Sequence, residues 1–439
     1  MGRDLTKGPV LRSMLLFAIP MILGDLLQQC YNIADTLIVG RVLGRDALAA
    51  VGSSFTLMTF LTSILLGLCM GSGAAISMQF GSGEEDRMRQ SVFLSFSLIA
   101  GISLVLNALV YLGLDSILWV LRVPDELKPL MKEYLVIIFL GITATFLYNY
   151  FANLLRAIGN SVVPLVFLAV SAVLNVILDL VCVLVLQWGV KGAAGATVFS
   201  QFMSGIGIGL YTLKKFPQLC PKKADCRWDK KNLDTILNLS VMTSVQQSIM
   251  NFGILMVQGL VNSFGTVIMA AFAAAVKIDS FAYMPVQDFG NAFSTYVAQN
   301  YGAGEADRIK KGIRSAGLCS AVFCVCISVL VCAFASPLMG IFIDPGESAI
   351  IAAGVHYLRI EGACYIGIGI LFLLYGYYRA VNQPQMSVVL TIASLGTRVA
   401  LAYLLSATPL GVTGIWLSVP IGWALADAIG IGYYLKKKR

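Results

Sequence analysis

Apolar runs of membrane-spanning length recur from one end of this chain to the other, and no other feature limits its fold so sharply. LVIIFLGITATFLYNYF (135–151) and SAVLNVILDLVCVLVL (171–186) are two of them. Runs of this kind suit helices crossing a hydrocarbon core about 30 Å thick. Inside lipid every backbone N–H and C=O must be satisfied within the segment or in a closed barrel, and long continuous apolar runs read as helices. Composition agrees: 58% of the 439 residues are hydrophobic and 12% are charged, against roughly 25% charged in a soluble domain. The expected fold is an all-α integral membrane protein of about twelve spans, with no sizeable soluble domain left over.

On such a chain the placement of charge carries more information than its sum of +8. With about twelve spans, the loops on the N-terminal side, from Arg3 through the 214–232 segment to the final KKKR, hold 22 of the 31 cations. The opposite loops hold Arg41, Arg45, Arg122, Lys128, Lys132 and Lys191. The positive-inside rule then places both termini in the cytoplasm. The first apolar run is long and lacks a small-residue cleavage pattern, so it is expected to be a retained helix rather than a signal peptide. Most of the ten cysteines lie inside apolar runs, where a thiol packs as a small hydrophobe, and none shows metal-ligand spacing.

The chain repeats itself. QFGSGEEDRMRQSV returns as QNYGAGEADRIKKGI, pairing Gly81 with Gly302. LRAIGNSVVP returns as YRAVNQPQMS, pairing Arg156 with Arg379, and GVKGAAGATV returns as GVTGIWLSVP, pairing Gly189 with Gly411. Near-constant spacing across three blocks implies two copies of six spans each. An even number of crossings returns the chain to its starting side, so the copies are parallel repeats, an arrangement that transporters rock about a central site. The expected division is 1–213, a basic cytosolic linker at 214–232, and 233–439. The repeated G-x-G-E-x-D-R block reads as a tight turn, with glycines supplying positive φ and acids opening the next helix.

Intramembrane carboxylates are costly and mark transport pathways. Asp35, in YNIADTLIVGR, and Asp179, in SAVLNVILDLVCVLVL, stand inside spans of the same half. Asn175 precedes Asp179 by one helical turn and shares its face. Thr197, in the next span, follows small residues that let helices approach closely. Asp35, Asn175, Asp179 and Thr197 together make an all-oxygen pocket suited to a hard cation such as Na⁺, or to a proton held between two carboxyls. Pro20, well before Asp35 on the same span, removes a backbone hydrogen bond and permits a hinge.

The second half does not repeat the pair: Asn175 and Asp179 correspond to Arg398 and Ala402. It holds Lys277, Asp279, Asp288, Glu361 and Arg398 instead. Lys277, Asp288 and Arg398, with Gln28 and Asn32 on the first span, are candidate residues of a substrate cavity, and structural ion pairs explain the charged ones equally well. No G-x-x-x-x-G-K-[ST] loop, H-E-x-x-H or D-D-x-x-D cluster is present. Nucleotide hydrolysis by that route and the usual membrane metalloprotease or prenyltransferase chemistry are therefore not expected. The chain reads as a non-enzyme without a cofactor, driven by an ion gradient.

With YNIADTLIVGRVLG, the LRAIGN block, the GxGE turns and two six-span halves, the chain resembles the bacterial multidrug and toxic compound extrusion (MATE) transporters across essentially its whole length. The resemblance implies an N-lobe and a C-lobe around a V-shaped central cavity, and export of organic cations in exchange for H⁺ or Na⁺. It assigns ion coupling to Asp35, Asn175, Asp179 and Thr197, adds Tyr134, and makes Pro20 the hinge. It also brings a departure: where some members carry a seventh-helix glutamate, Ser248 stands here, so coupling is expected in the N-lobe. The expected function is a multidrug antiporter of the bacterial inner membrane, with the bilayer and cationic drugs as partners, no nucleic acid, and a monomeric state. A lipid-linked precursor or polysaccharide flippase of the same superfamily is the alternative.

Overall fold

The computed structural model describes residues 4–120 and 128–438; Arg3, Arg122 and Arg439, counted above among the loop cations, lie outside them. Among the described residues the chain is helical with no strand. In chain order the helices are α1 (Val10–Val42), α2 (Arg45–Ser82), α3 (Glu85–Leu112), α4 (Leu114–Val120), α5 (Lys128–Ile138), α6 (Gly141–Ala157), α7 (Val162–Asp179) and α8 (Gly189–Lys215). They continue as α9 (Lys230–Asn262), α10 (Thr266–Gly302), α11 (Ala306–Ala333), α12 (Ala335–Met339), α13 (Ser348–Gly362), α14 (Tyr365–Ala380), α15 (Pro384–Ser406) and α16 (Val412–Lys438). A π-helical stretch, Leu180–Val185, extends α7 without a break.

Ten segments among the described residues are long and apolar enough to cross a membrane, counting α5 with α6, and α7 with its π-helical extension, as one each. The pair α13 and α14, bent by 52° at its break, makes an eleventh. The remaining long helix is α9, 33 residues, whose hydropathy is held down by the polar stretch TSVQQS (243–248). The expected all-α, twelve-helix architecture fits this inventory.

Packing gathers the chain into two compact units. The first contains Ile19–Ser244; the second contains Leu5–Ala18 and Val245–Arg439. Repeat boundaries and packing boundaries therefore differ. The 214–232 segment and the first half of α9 belong to the first unit, and the first turns of α1 belong to the second. In α1 the change of unit falls between Ala18 and Ile19, next to Pro20.

Local contacts explain both assignments. In the second unit the backbone N–H of fully buried Leu5 donates to Gln299 Oε1 (3.0 Å), and its carbonyl accepts from Asn300 Nδ2 and Arg308, each at 3.2 Å. In the first unit Asn232, also fully buried, accepts from Gln79 Nε2 (3.0 Å) and donates to Ser91 Oγ (2.9 Å). Arg89 Nε donates to Asp225 at 2.8 Å. Deeper in the first unit, Gly67 and Gly71 of α2 are spaced G-x-x-x-G and let α9 approach backbone to backbone. A Cβ on Gly67 would strike Ser244 Cα, and one on Gly71 the Leu239 carbonyl.

The repeated turns are the glycine turns the sequence indicates. Gly83 (φ 73°) ends α2 and Gly304 (φ 72°) follows α10, both left-handed. Glu84 N–H returns to Gln79 O at 3.1 Å, and Glu305 N–H to Asn300 O at 2.9 Å. Asp86 and Asp307 then sit in the first turns of α3 and α11, where the helix dipole favours an acid.

Candidate functional site

The first unit brings Asp35, Tyr134, Asn175, Asp179 and Thr197 into one cluster. Asp179 is the last residue of α7, where the chain enters its π-helical stretch; π-bulges within helices are frequent at functional sites. Its side chain is fully buried, and Asn175, one turn earlier, is 3% exposed. Asp35 approaches from α1, and its carboxyl lies within hydrogen-bonding reach of Asp179. Tyr134, buried on α5, lies in the field of both acids.

Thr197 enters from α8, where GVKGAAGA supplies the small residues of a close helix contact. Asn175 Nδ2 donates to Thr197 Oγ1 at 3.2 Å, and Thr197 Oγ1 donates to Ala193 O at 3.1 Å. With those donors committed, Asp35 Oδ1, Asn175 Oδ1 and both Asp179 oxygens are buried with no protein donor to pair them, the two carboxyls reaching only each other. Buried polar groups are normally paired. Four unpaired oxygens from three residues on two helices make an acceptor-only set, the chemistry of a hard cation or a proton and not of an apolar ligand. Among the described residues no group of three or more His, Cys, Asp or Glu is arranged so that it could hold a metal ion.

Two further members lie in this cluster and were not singled out from sequence. Tyr31, one turn before Asp35 on α1, faces that carboxyl and lies within hydrogen-bonding reach of Gln201. Gln201, one turn after Thr197 on α8, accepts from Thr145 Oγ1 at 3.3 Å. The signal was helical spacing: Tyr31 is four residues from Asp35, and Gln201 four from Thr197.

The remaining candidates are spread out. Gln28 is exposed on α1, and Asn32 is half-buried, its carbonyl accepting from Thr36 Oγ1 at 2.8 Å. Lys277 is exposed and lies 6.0 Å from the Phe342 ring centroid, while Asp288, on the same helix, is buried. Arg398 is half-buried in the second unit near Asp279 and Glu361. Asp427 of α16 is a buried acid that the sequence reading passed over, and its Oδ1 has no partner. Pro20 is accommodated within a continuous α1.

The family model MatE matches residues 20–181 and 240–404. The probable multidrug resistance protein YpnP of Bacillus subtilis is 30% identical over 434 residues, covering 98% of this chain and 96% of the relative. The multidrug export protein MepA of Staphylococcus aureus is 26% identical, with 99% of this chain and 95% of MepA covered. Among solved structures, an outward-facing MATE transporter of the MOP superfamily superposes with a TM-score of 0.92 at 22% identity, covering 99% of this chain and 97% of that one. A MOP superfamily transporter from Pyrococcus furiosus, described as having a binding pocket of reversed polarity, superposes with a TM-score of 0.90 at 22% identity and the same coverage. At that identity the structures speak for the fold, and the family match with YpnP speaks for descent: this chain belongs to the MATE family of membrane transporters.

Proposed function

We propose that the protein is a secondary multidrug antiporter, exporting lipophilic organic cations in exchange for H⁺ or Na⁺ held by Asp35 and Asp179. One observation carries this reading: the four buried, unpaired oxygens around that acid pair. The names of YpnP and MepA support the substrate class. If the ion is Na⁺, Asp35, Asn175, Asp179 and Thr197 would hold it, supplying carboxylate charge and neutral oxygens; if it is H⁺, the two carboxyls hold it between them. Antiport requires the ion and the drug to favour different states of one equilibrium. Loading Asp35 changes the partners of α1, α1 bends at Pro20, and the drug-binding state is disfavoured. The protein resides in the bacterial inner membrane with both termini cytoplasmic, acts as a monomer, and catalyses no covalent chemistry.

Ethidium efflux from proteoliposomes, driven separately by Na⁺ and pH gradients, tests this. Wild type should respond to one gradient, and Asp35→Asn should abolish that response. A wild type that moves no cationic dye under either gradient would overturn the reading and favour a lipid-linked substrate.

A further inference from the structure

The coupling reading leaves unused a second buried acidic pair, Asp279 and Glu361, in the second unit. Asp279 is 4% exposed and Glu361 1%. Their carboxyls lie within hydrogen-bonding reach of each other, and Tyr365 Oη donates to Asp279 Oδ1 at 2.6 Å. Tyr357, within reach of Glu361, is clamped in place: its ring centroid is 4.9 Å from that of Trp416, which stacks on Phe272 at 5.4 Å. Tyr283 and Cys364, neutral groups, also face the pair. Glu361 stands at the 52° break between α13 and α14, and transporters build ion sites at such interrupted helices.

The duplication makes this cluster the counterpart of the first unit's site. At the spacing of the repeat, Tyr357 corresponds to Tyr134 and Arg398 to Asn175. Glu361 corresponds to Ile138, the last residue of α5 before the interruption between α5 and α6. The tyrosine and the interrupted span are kept, the acids come from other helices, and a guanidinium replaces the amide. Among the described residues Arg398 makes no direct ion pair, but it acts on both carboxyls. Its Nε and Glu361 Oε1 are both buried without a hydrogen-bond partner. A guanidinium keeps its charge under all accessible conditions, and in a low-dielectric interior its field reaches beyond contact. Two carboxylates sharing one proton, plus one guanidinium, sum to zero, which leaves no charge for a free cation to neutralise.

We propose that Arg398 is a tethered cation that satisfies the second unit's carboxylate pair and confines exchange of the coupling ion to the first unit. The proposal rests on the coupling role of Asp35 and Asp179, since that is the site Arg398 leaves as the exchanger.

The test uses the full chain in lipid nanodiscs, treated with a hydrophobic carbodiimide that modifies protonated carboxyls and read residue by residue by peptide mass spectrometry. Replacing choline by Na⁺, or changing pH, should alter labelling of Asp35 and Asp179 in wild type and leave Asp279 and Glu361 unchanged. In Arg398→Gln, labelling of Asp279 and Glu361 should begin to respond to the same changes, whereas Arg398→Lys should behave as wild type. Arg398→Met serves if the glutamine variant does not fold. The proposal is overturned if Asp279 and Glu361 already respond in wild type or in the lysine variant, or if the neutral variant leaves them unresponsive. Failure of Asp35 and Asp179 to respond in wild type would sink the coupling reading separately, while the behaviour of the second pair still decides the role of Arg398.

Discussion

Asn175 Nδ2 donates to Thr197 Oγ1 at 3.2 Å, and the hydroxyl donates its own proton to Ala193 O at 3.1 Å. The chain of donors fixes which way the Asn175 amide points and leaves its carbonyl oxygen unpaired. Thr197→Val removes the acceptor at constant side-chain shape, freeing the amide to turn. The expected result is a loss of about 1 to 2 kcal/mol in binding of the coupling ion, roughly tenfold in affinity. The ion concentration at half-maximal drug efflux reads it, and an unchanged value would show that the amide's direction does not matter.

Pro20 stands two residues beyond the point where α1 leaves one unit for the other. Proline there lacks the N–H that would bond one turn back, so bending costs less at this point than elsewhere in the helix. Pro20→Ala restores that bond. Its thermal midpoint should match or exceed that of wild type while drug efflux slows; a variant that transports at the wild-type rate would remove the hinge role.

Gly67 and Gly71 make the contact that holds the first half of α9 to α2. A methyl group at Gly67 meets backbone atoms of Ser244, which cannot swing aside as a side chain can. Gly67→Ala should therefore destabilise the fold by about 1 to 3 kcal/mol through overpacking. Gly101→Ala on α3, where an added Cβ meets nothing within 4 Å, should leave stability the same or slightly higher. Thermal denaturation in detergent compares the two, and equal midpoints would contradict the packing argument.

Much of this was legible from sequence because the signals were local. Span lengths, the near-constant spacing of the repeated blocks and the glycine turns follow from runs, spacing and backbone sterics, and each has its place in the structure. The approach of Asp35 to Asp179 followed from the cost of a lone carboxylate in lipid. Tyr31 and Gln201 escaped notice because neither residue type is costly in a membrane helix. The pairing of Asp279 with Glu361 depends on α13 packing against α10, a contact between distant parts of the chain that no local signal encodes. The assignment of Leu5–Ala18 to the second unit depends on packing partners far along the chain, such as Gln299 and Asn300, which periodicity does not encode.

Outside the spans, Asp225 ties the linker to α3. The Lys222 N–H, bonded to Asp225 Oδ2 at 2.9 Å, and then the Arg89 guanidinium hold this carboxyl below its ordinary range. A carboxyl so lowered stabilises the folded linker fully at any pH above the ordinary aspartate value. That contribution is lost as pH falls through the lowered folded value, because the proton then binds the unfolded form more tightly. The linker's lysines, Lys222 and Lys223, offer a readout by limited trypsin digestion. Wild type should resist cleavage at neutral pH and become more susceptible as the digestion is moved to mildly acid pH, each rate being divided by the rate of trypsin on an unstructured lysine peptide at that pH. Asp225→Asn should be susceptible already at neutral pH and show a flatter dependence. A variant as resistant as wild type would mean that the Asn232 contacts to Gln79 and Ser91 hold the linker without help from the ion pair.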